Sequence, residues 1–202
     1  MRIKVNIPEA TSGDFRIEHV TTDSYCGSPE PMDTYTVLFN EHHNIMQDTT
    51  REYVEHEQFL KSVYGDILIA GLGLGMINQP LMDNPNVKSV TIIEKFQDVI
   101  DMVWDHCPKN KKFRLIHDDI YKWDIDSKFD IGWFDSWVGE RPHEEYKKVM
   151  VEKYGPYCRE IMFWNSQKDI DFENNVHGQI RFVLPKQVRG AISVTTHNNK
   201  EK

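Results

Sequence analysis

The sequence predicts a doubly wound α/β fold: a mostly parallel sheet, preceded by a small N-terminal β segment and followed by a C-terminal antiparallel hairpin. Three observations carry that expectation. From residue 66 onward, short apolar runs alternate with amphipathic stretches, the pattern of a parallel sheet covered on both faces. Glycines at alternate positions, Gly71, Gly73 and Gly75, follow the first apolar run. Before residue 50, β-like runs are broken by turn signals.

The elements follow in order. Residues 2–7, 15–21 and 34–39 alternate or carry branched side chains and read as strands, while Cys26-Gly-Ser-Pro-Glu-Pro31 is loop chemistry. Tyr53, His56, Phe59, Leu60 and Val63 recur at helical spacing, which predicts a helix over 50–64. Buried-strand runs then occur at 67–70, 89–94, 114–117, 130–134 and 160–164, with helices expected at 77–82, 96–106 and 143–154. Residues 179–184 and 191–197, joined by 185–190, read as the antiparallel hairpin. The expected division is an N-terminal β segment over 1–49, a nucleotide-binding domain over 50–197 and a tail over 198–202.

Composition narrows the function classes. The chain has 202 residues, 39% hydrophobic and 28% charged, as expected of a globular protein and not of a disordered one. Acids outnumber bases 32 to 24, giving a net charge of -8, which argues against a dedicated nucleic-acid binder. No apolar run approaches the ~20 residues of a membrane span. Residues 1–14 lack the apolar centre of a secretory signal, so the expected location is cytoplasmic. The three cysteines, Cys26, Cys107 and Cys158, show no metal or redox spacing and are expected to be buried thiols. Adjacent His42 and His43 would point to opposite faces of a strand, so no metal site is expected there or with His56.

The sharpest local feature is Ile67-Leu-Ile-Ala-Gly71-Leu-Gly73-Leu-Gly75-Met76. A strand running into such glycines lets the backbone turn sharply and approach a ligand. The next strand closes on Glu94, whose carboxylate can accept both hydroxyls of a ribose. Met76 occupies the position where a dinucleotide fingerprint wants glycine or alanine, and no basic residue lies in the loop for a pyrophosphate. Asp118 and Asp119 close the third strand, placed to accept from an adenine amino group. A ribose and an adenine held by acids, without a phosphate site, point to S-adenosylmethionine or a related thio-nucleoside.

On these residues the chain resembles the class I methyltransferase fold, a Rossmann-like architecture, and within it the spermidine synthase-like branch. The resemblance runs over about 35–136. Gln47, Glu52 and His56-Glu57 fall in the order of that branch, followed by the glycine loop and by Val90 to Glu94 with Val99-Ile100. Arg114-Leu-Ile-His-Asp-Asp119 and Phe129-Asp-Ile-Gly-Trp-Phe-Asp135-Ser136 resemble its third- and fourth-strand motifs. The resemblance implies that Gln47, Glu94 and Asp119 contact the nucleoside, that Asp135 is catalytic, and that the chain dimerises through its N-terminal segment. The pattern departs at three positions. Leu74 stands where the branch has an amine-gripping aspartate, Val138 where it has a second aspartate, and Glu55 where it has a tyrosine. Each lost carboxylate removes a charge-assisted bond of ~1.5–3 kcal/mol to an amine.

The expected function is therefore an S-adenosylmethionine-binding transferase, methyltransferase-like, acting on a small polar acceptor. Asp135 is the candidate base, with a helix-capping or turn role as the alternative. Trp133 and Trp137 flank it and either wall an acceptor pocket or belong to the core. An aminopropyltransferase with an altered amine site, an enzyme that degrades S-adenosylmethionine, and a non-catalytic binding or scaffolding module remain alternatives. The expected partners are a small-molecule substrate and a second copy of the chain, with no nucleic acid and no membrane.

Overall fold

The computed structural model describes residues 2–25, 28–41, 43–136, 144–164 and 181–183. The first sheet is antiparallel and four-stranded: β1 (Ala10–Ser12), β2 (Phe15–Tyr25), β3 (Ser28–Asn40) and β4 (His43–Gln47), in chain order. It differs from expectation at both ends. Residues 2–7 form no strand. Asp48 takes the polar groups of this segment instead: the Val5 amide donates to its carboxylate, and the Arg2 guanidinium bonds its side chain and its carbonyl. Residues 28–31, read as loop, open β3, and β4 was not foreseen.

Helix α1 (Thr50–Ser62) links this sheet to the second one. The Thr49 hydroxyl caps it by accepting from the Glu52 amide, and Lys61 lies in its last turn, where a cation favours the helix dipole. The helix buries Glu52, Glu55 and His56 in addition to Phe59. Polar side chains thus occupy its inner face at the N-terminal half, near the strand ends.

The second sheet contains β5 (Gly65–Ala70), β6 (Val87–Glu94), β7 (Phe113–His117), β8 (Phe129–Phe134) and β9 (Cys158–Phe163), all parallel, in the order β9-β8-β5-β6-β7. A short β10 (Arg181–Val183) pairs antiparallel with β9. Of the expected C-terminal hairpin, only this piece of the first arm is described. The second arm, 191–197, and the tail, 198–202, lie outside the described residues. The extended antiparallel sheet is N-terminal, not the C-terminal hairpin.

Helices α2 (Asn78–Asp83), α3 (Gln97–Val103, continued by a 3-10 turn at Trp104–His106) and α4 (Glu144–Tyr154) complete the alternation. Strand period two divides the apolar residues between the two faces. Ile67, Ile69, Ile92 and Trp133 join Phe59, Leu81 and Met102 in one core. Leu68, Ala70, Ile93 and Phe134 join Tyr146, Met150 and Tyr154 in the other. Ile17, Leu38 and Met46 of the N-terminal sheet belong to the first core, and Phe15 packs its ring 4.8 Å from Phe96. Trp133 is fully buried and stacks on Phe59 at 4.4 Å, so it is core and does not wall a pocket; Trp137 lies outside the described residues. Among the described residues no helix is long and apolar enough to cross a membrane.

Candidate functional site

The strand order reverses between β5 and β8, since β6 and β7 extend the sheet to one side and β8 and β9 to the other. Ligands of open α/β sheets bind at the carboxyl ends of the strands beside such a reversal. Of the residues singled out from sequence, all but Gln47, which ends β4 of the other sheet, sit there. The glycine loop follows β5, Glu94 ends β6, Asp118 and Asp119 follow β7, and Asp135 follows β8.

Gly71, Gly73 and Gly75 all have positive φ, at 99°, 52° and 63°. At Gly71 a Cβ would also overlap the Asp135 carbonyl oxygen, so the close approach of the two strand ends requires a glycine. Four of the loop's five amides are committed within the protein. Gly71 donates to the Ile93 carbonyl at 2.9 Å, and Gly75 to the Leu72 carbonyl at 2.9 Å. Leu72 donates to Glu94 Oε2 at 2.8 Å, and Leu74 to Met46 Sδ at 3.2 Å. A loop so arranged has few N–H groups left for an anion.

Glu94 is buried, and its second oxygen accepts from the Phe96 amide at 2.9 Å. Burial pushes its carboxyl up; the Leu72, Phe96 and Lys95 amides and His117 pull against that without cancelling it. Glu94 therefore braces the loop in addition to presenting a carboxylate at the strand end. Asp119 is half-buried, with Oδ2 3.2 Å from Lys95 Nζ and Oδ1 accepting from the Tyr121 amide at 2.9 Å. Burial raises its carboxyl, but that amide and Lys95 outweigh it and hold Asp119 below the usual carboxylate range. Asp118 is turned to its neighbour, accepting the Asp119 amide at 2.7 Å.

Asp135 contrasts with both. Its backbone amide donates to the Ala70 carbonyl at 3.0 Å, which fixes it beside the loop. Part of its surface is accessible, yet protein crowds it closely. Burial, with Glu55 nearby, pushes its carboxyl up to about 7. Glu55 lies on the inner face of α1 and pairs with Arg51 at 3.2 Å. At the next residue, burial lowers His56 to about 4, so its imidazole is neutral. Its Nε2 is 4.0 Å from Glu52 Oε1, and neither ring nitrogen has a hydrogen-bond partner among the described residues. Gln47 is likewise buried; its Oε1 accepts from Asn44 at 3.0 Å and its Nε2 has no partner among the described residues.

The departures from the resembled pattern have structural consequences. Leu74 is 1% exposed and belongs to the core, so a carboxylate is missing from the loop's crest. Val138 lies outside the described residues. Glu55, where that pattern has a tyrosine, raises the Asp135 carboxyl. Two contacts escaped the sequence reading. Met46 touches the loop, and the Tyr146 hydroxyl of α4 pairs with Ser136 Oγ at 2.6 Å beside Asp135. Neither carries a spacing signal, because each arises from packing between separate elements. Cys107 and Cys158 are buried thiols, pushed up to about 12 by burial; Cys26 and His42 lie outside the described residues. Among the described residues no group of His, Cys, Asp or Glu could hold a metal ion.

No family profile and no curated protein matches the sequence. Solved structures resemble it at low identity. DhpI in complex with SAH aligns over 67% of this chain and 68% of its own, at 14% identity and TM-score 0.45. The glycopeptide N-methyltransferase MtfA, complexed with S-adenosyl-L-homocysteine, aligns over 55% and 50%, at 15% identity and TM-score 0.43. A S-adenosylmethionine-dependent methyltransferase from Clostridium acetobutylicum aligns over 55% and 46%, at 17% identity and TM-score 0.38. The chain thus spans about half the length of the latter two. At such identities the functional reading rests on the geometry of the site.

Proposed function

We propose that this chain is a transferase that binds S-adenosylmethionine, or a related thio-nucleoside, and acts on a small polar acceptor. The observation that carries the reading is the loop whose amides are spent inside the protein, set between Glu94 and Asp119 at the strand-order reversal. Such a loop suits a ligand without phosphates, and the two acids suit hydroxyl and amino donors. Glu94 would accept the ribose hydroxyls, Asp118 and Asp119 the adenine amine, and Gln47 would offer its free N–H groups to the nucleoside. Gly71, Gly73 and Gly75 would let the backbone approach it.

Bound there, S-adenosylmethionine supplies an electrophilic methyl group on sulfur. The chain's own task is then to position the acceptor and manage its proton. Asp135, held beside the loop, would take that role. A carboxyl that titrates near neutrality can take a proton from the acceptor at physiological pH. The buried Leu74 favours ordinary S-adenosylmethionine over its decarboxylated form, whose amine would meet no carboxylate at the loop's crest. The working form is proposed to be a homodimer built through the N-terminal sheet, whose β1 and β4 are edge strands. A concentration-independent monomer in light scattering would contradict that assembly.

The test is calorimetry with S-adenosylmethionine, its decarboxylated form and methylthioadenosine, followed by incubation with S-adenosylmethionine alone. Binding without consumption supports a transferase that lacks its acceptor. Consumption without an acceptor would replace transfer by degradation, and binding of none of the three would remove the cofactor reading.

A further inference from the structure

We propose that Met46 is a positioning residue of the nucleotide loop, holding its crest from the N-terminal sheet through a thioether hydrogen bond. The inference rests on the reading of the loop as the nucleotide site. It starts from an irregularity in the β3–β4 ladder. Leu38 pairs with Met46 but Phe39 pairs with Asn44, so Ile45 is an extra residue on β4. Such a bulge breaks strand alternation and re-aims side chains. Beyond the bulge the register is regular, Met46 facing Leu38 and Gln47 facing Val37. Both faces of β4 are covered there, so Met46 and Gln47 are both buried. The thioether then reaches the Leu74 amide at 3.2 Å. A Cβ on Gly73 would run into the same sulfur, so Gly73 serves both a left-handed backbone and this approach.

The contact matters because of what it replaces. A buried amide without an acceptor is destabilising, and Leu74 is in the core. Three left-handed glycines also leave the loop free to sample other conformations unless its amides are held. With Leu72 held by Glu94 and Gly75 closing back on Leu72, Met46 supplies the restraint at the remaining crest position. The N-terminal sheet thereby takes part in the nucleotide site, and a loop held in its binding shape loses less entropy on binding.

Met46→Leu conserves volume and removes the acceptor, whereas Met46→Gln restores an acceptor on a side chain of similar length. Two readouts are taken on the full chain: hydrogen exchange at the Leu74 amide, and S-adenosylhomocysteine affinity by calorimetry. The expected result is faster exchange and on the order of tenfold weaker binding in the leucine variant, with both restored by glutamine. Wild-type exchange and affinity in the leucine variant would overturn the proposal. If the wild type does not bind S-adenosylhomocysteine, the nucleotide reading fails. The exchange readout still decides whether Met46 holds the loop: faster exchange supports it and unchanged exchange overturns it. Should the leucine chain not fold, the glutamine chain decides, supporting the proposal if Leu74 stays protected and overturning it if Leu74 exchanges freely.

Discussion

The two sides of the strand-order reversal treat their carboxylates in opposite ways. On the β5-β6-β7 side, Glu94 accepts two backbone amides, and Asp119 accepts one amide and faces Lys95. On the β8 side, the Asp135 carboxylate has no hydrogen-bond donor among the described residues, and Glu55 raises it further. Satisfied carboxylates are held in place and suit recognition. An unsatisfied one near its titration point suits proton transfer. The contrast divides the strand ends into a half whose carboxylates are held by amides and a half whose carboxyl titrates near neutrality.

The largest effect expected from breaking this division is at Asp135. Asp135→Asn should lower S-adenosylhomocysteine production by roughly 10²–10⁴-fold, the usual contribution of a positioned base. Calorimetry should find its affinity for S-adenosylhomocysteine nearly unchanged. Undiminished turnover would remove Asp135 from the chemistry.

Next comes Glu94. Glu94→Ala leaves the buried Leu72 amide and the Phe96 amide without their acceptor, at about 1–3 kcal/mol each. Thermal melting should fall by about 2–4 °C for each kcal/mol lost, and nucleoside affinity should fall on the order of tenfold or more. A variant that melts like the wild type would show that Glu94 does not brace the loop.

These two positions also show how far the sequence was legible. Glu94, Asp119 and Asp135 could be placed because a parallel strand announces its own end: an apolar run stops, and the next residue lies at the ligand edge. The glycines were readable for the same reason. The N-terminal sheet was less so. Residues 2–7 look like a strand but are drawn off by Asp48, a partner far along the chain. The stretch 28–31 reads as a turn by its prolines, yet it opens β3, with Ser28 and Pro29 paired to β2. The Met46 contact was invisible because it arises from packing of β4 against the glycine loop, which no local spacing encodes. Trp133 was ambiguous until its stacking on Phe59 placed it in the core.

A smaller effect is expected from pH, with opposite signs on neighbouring groups. Asp135 moves from its ordinary 3.8 up to about 7, so the folded chain holds its proton more tightly than the unfolded one. Its contribution is present below pH 3.8 and lost as pH rises towards 7, by about 1.4 kcal/mol per pH unit at most. His56 moves from 6.5 down to about 4, and its contribution is lost as pH falls through that window. Denaturant titrations should therefore show Asp135→Asn gaining stability relative to the wild type between about pH 4 and 7. His56→Gln should gain relative to the wild type as pH falls from 6.5 to 4. Parallel pH profiles for the wild type and both variants would contradict these environments.

The smallest effect belongs to Asp119. Its ion pair with Lys95 is partly exposed, so Asp119→Asn should change melting stability by no more than about 1 kcal/mol, less at high salt. Nucleoside affinity should drop severalfold in calorimetry. A loss as large as that of Glu94→Ala would mean that Asp119 anchors the ligand as strongly as Glu94.

The most direct measurement is paired calorimetry of the wild-type chain with S-adenosylhomocysteine and with NAD. The loop's spent amides and the strand-end acids predict saturable binding of S-adenosylhomocysteine, weakened by Glu94→Ala, and no binding of NAD. Binding of NAD alone, or S-adenosylhomocysteine binding indifferent to Glu94, would contradict a thio-nucleoside site at this sheet edge.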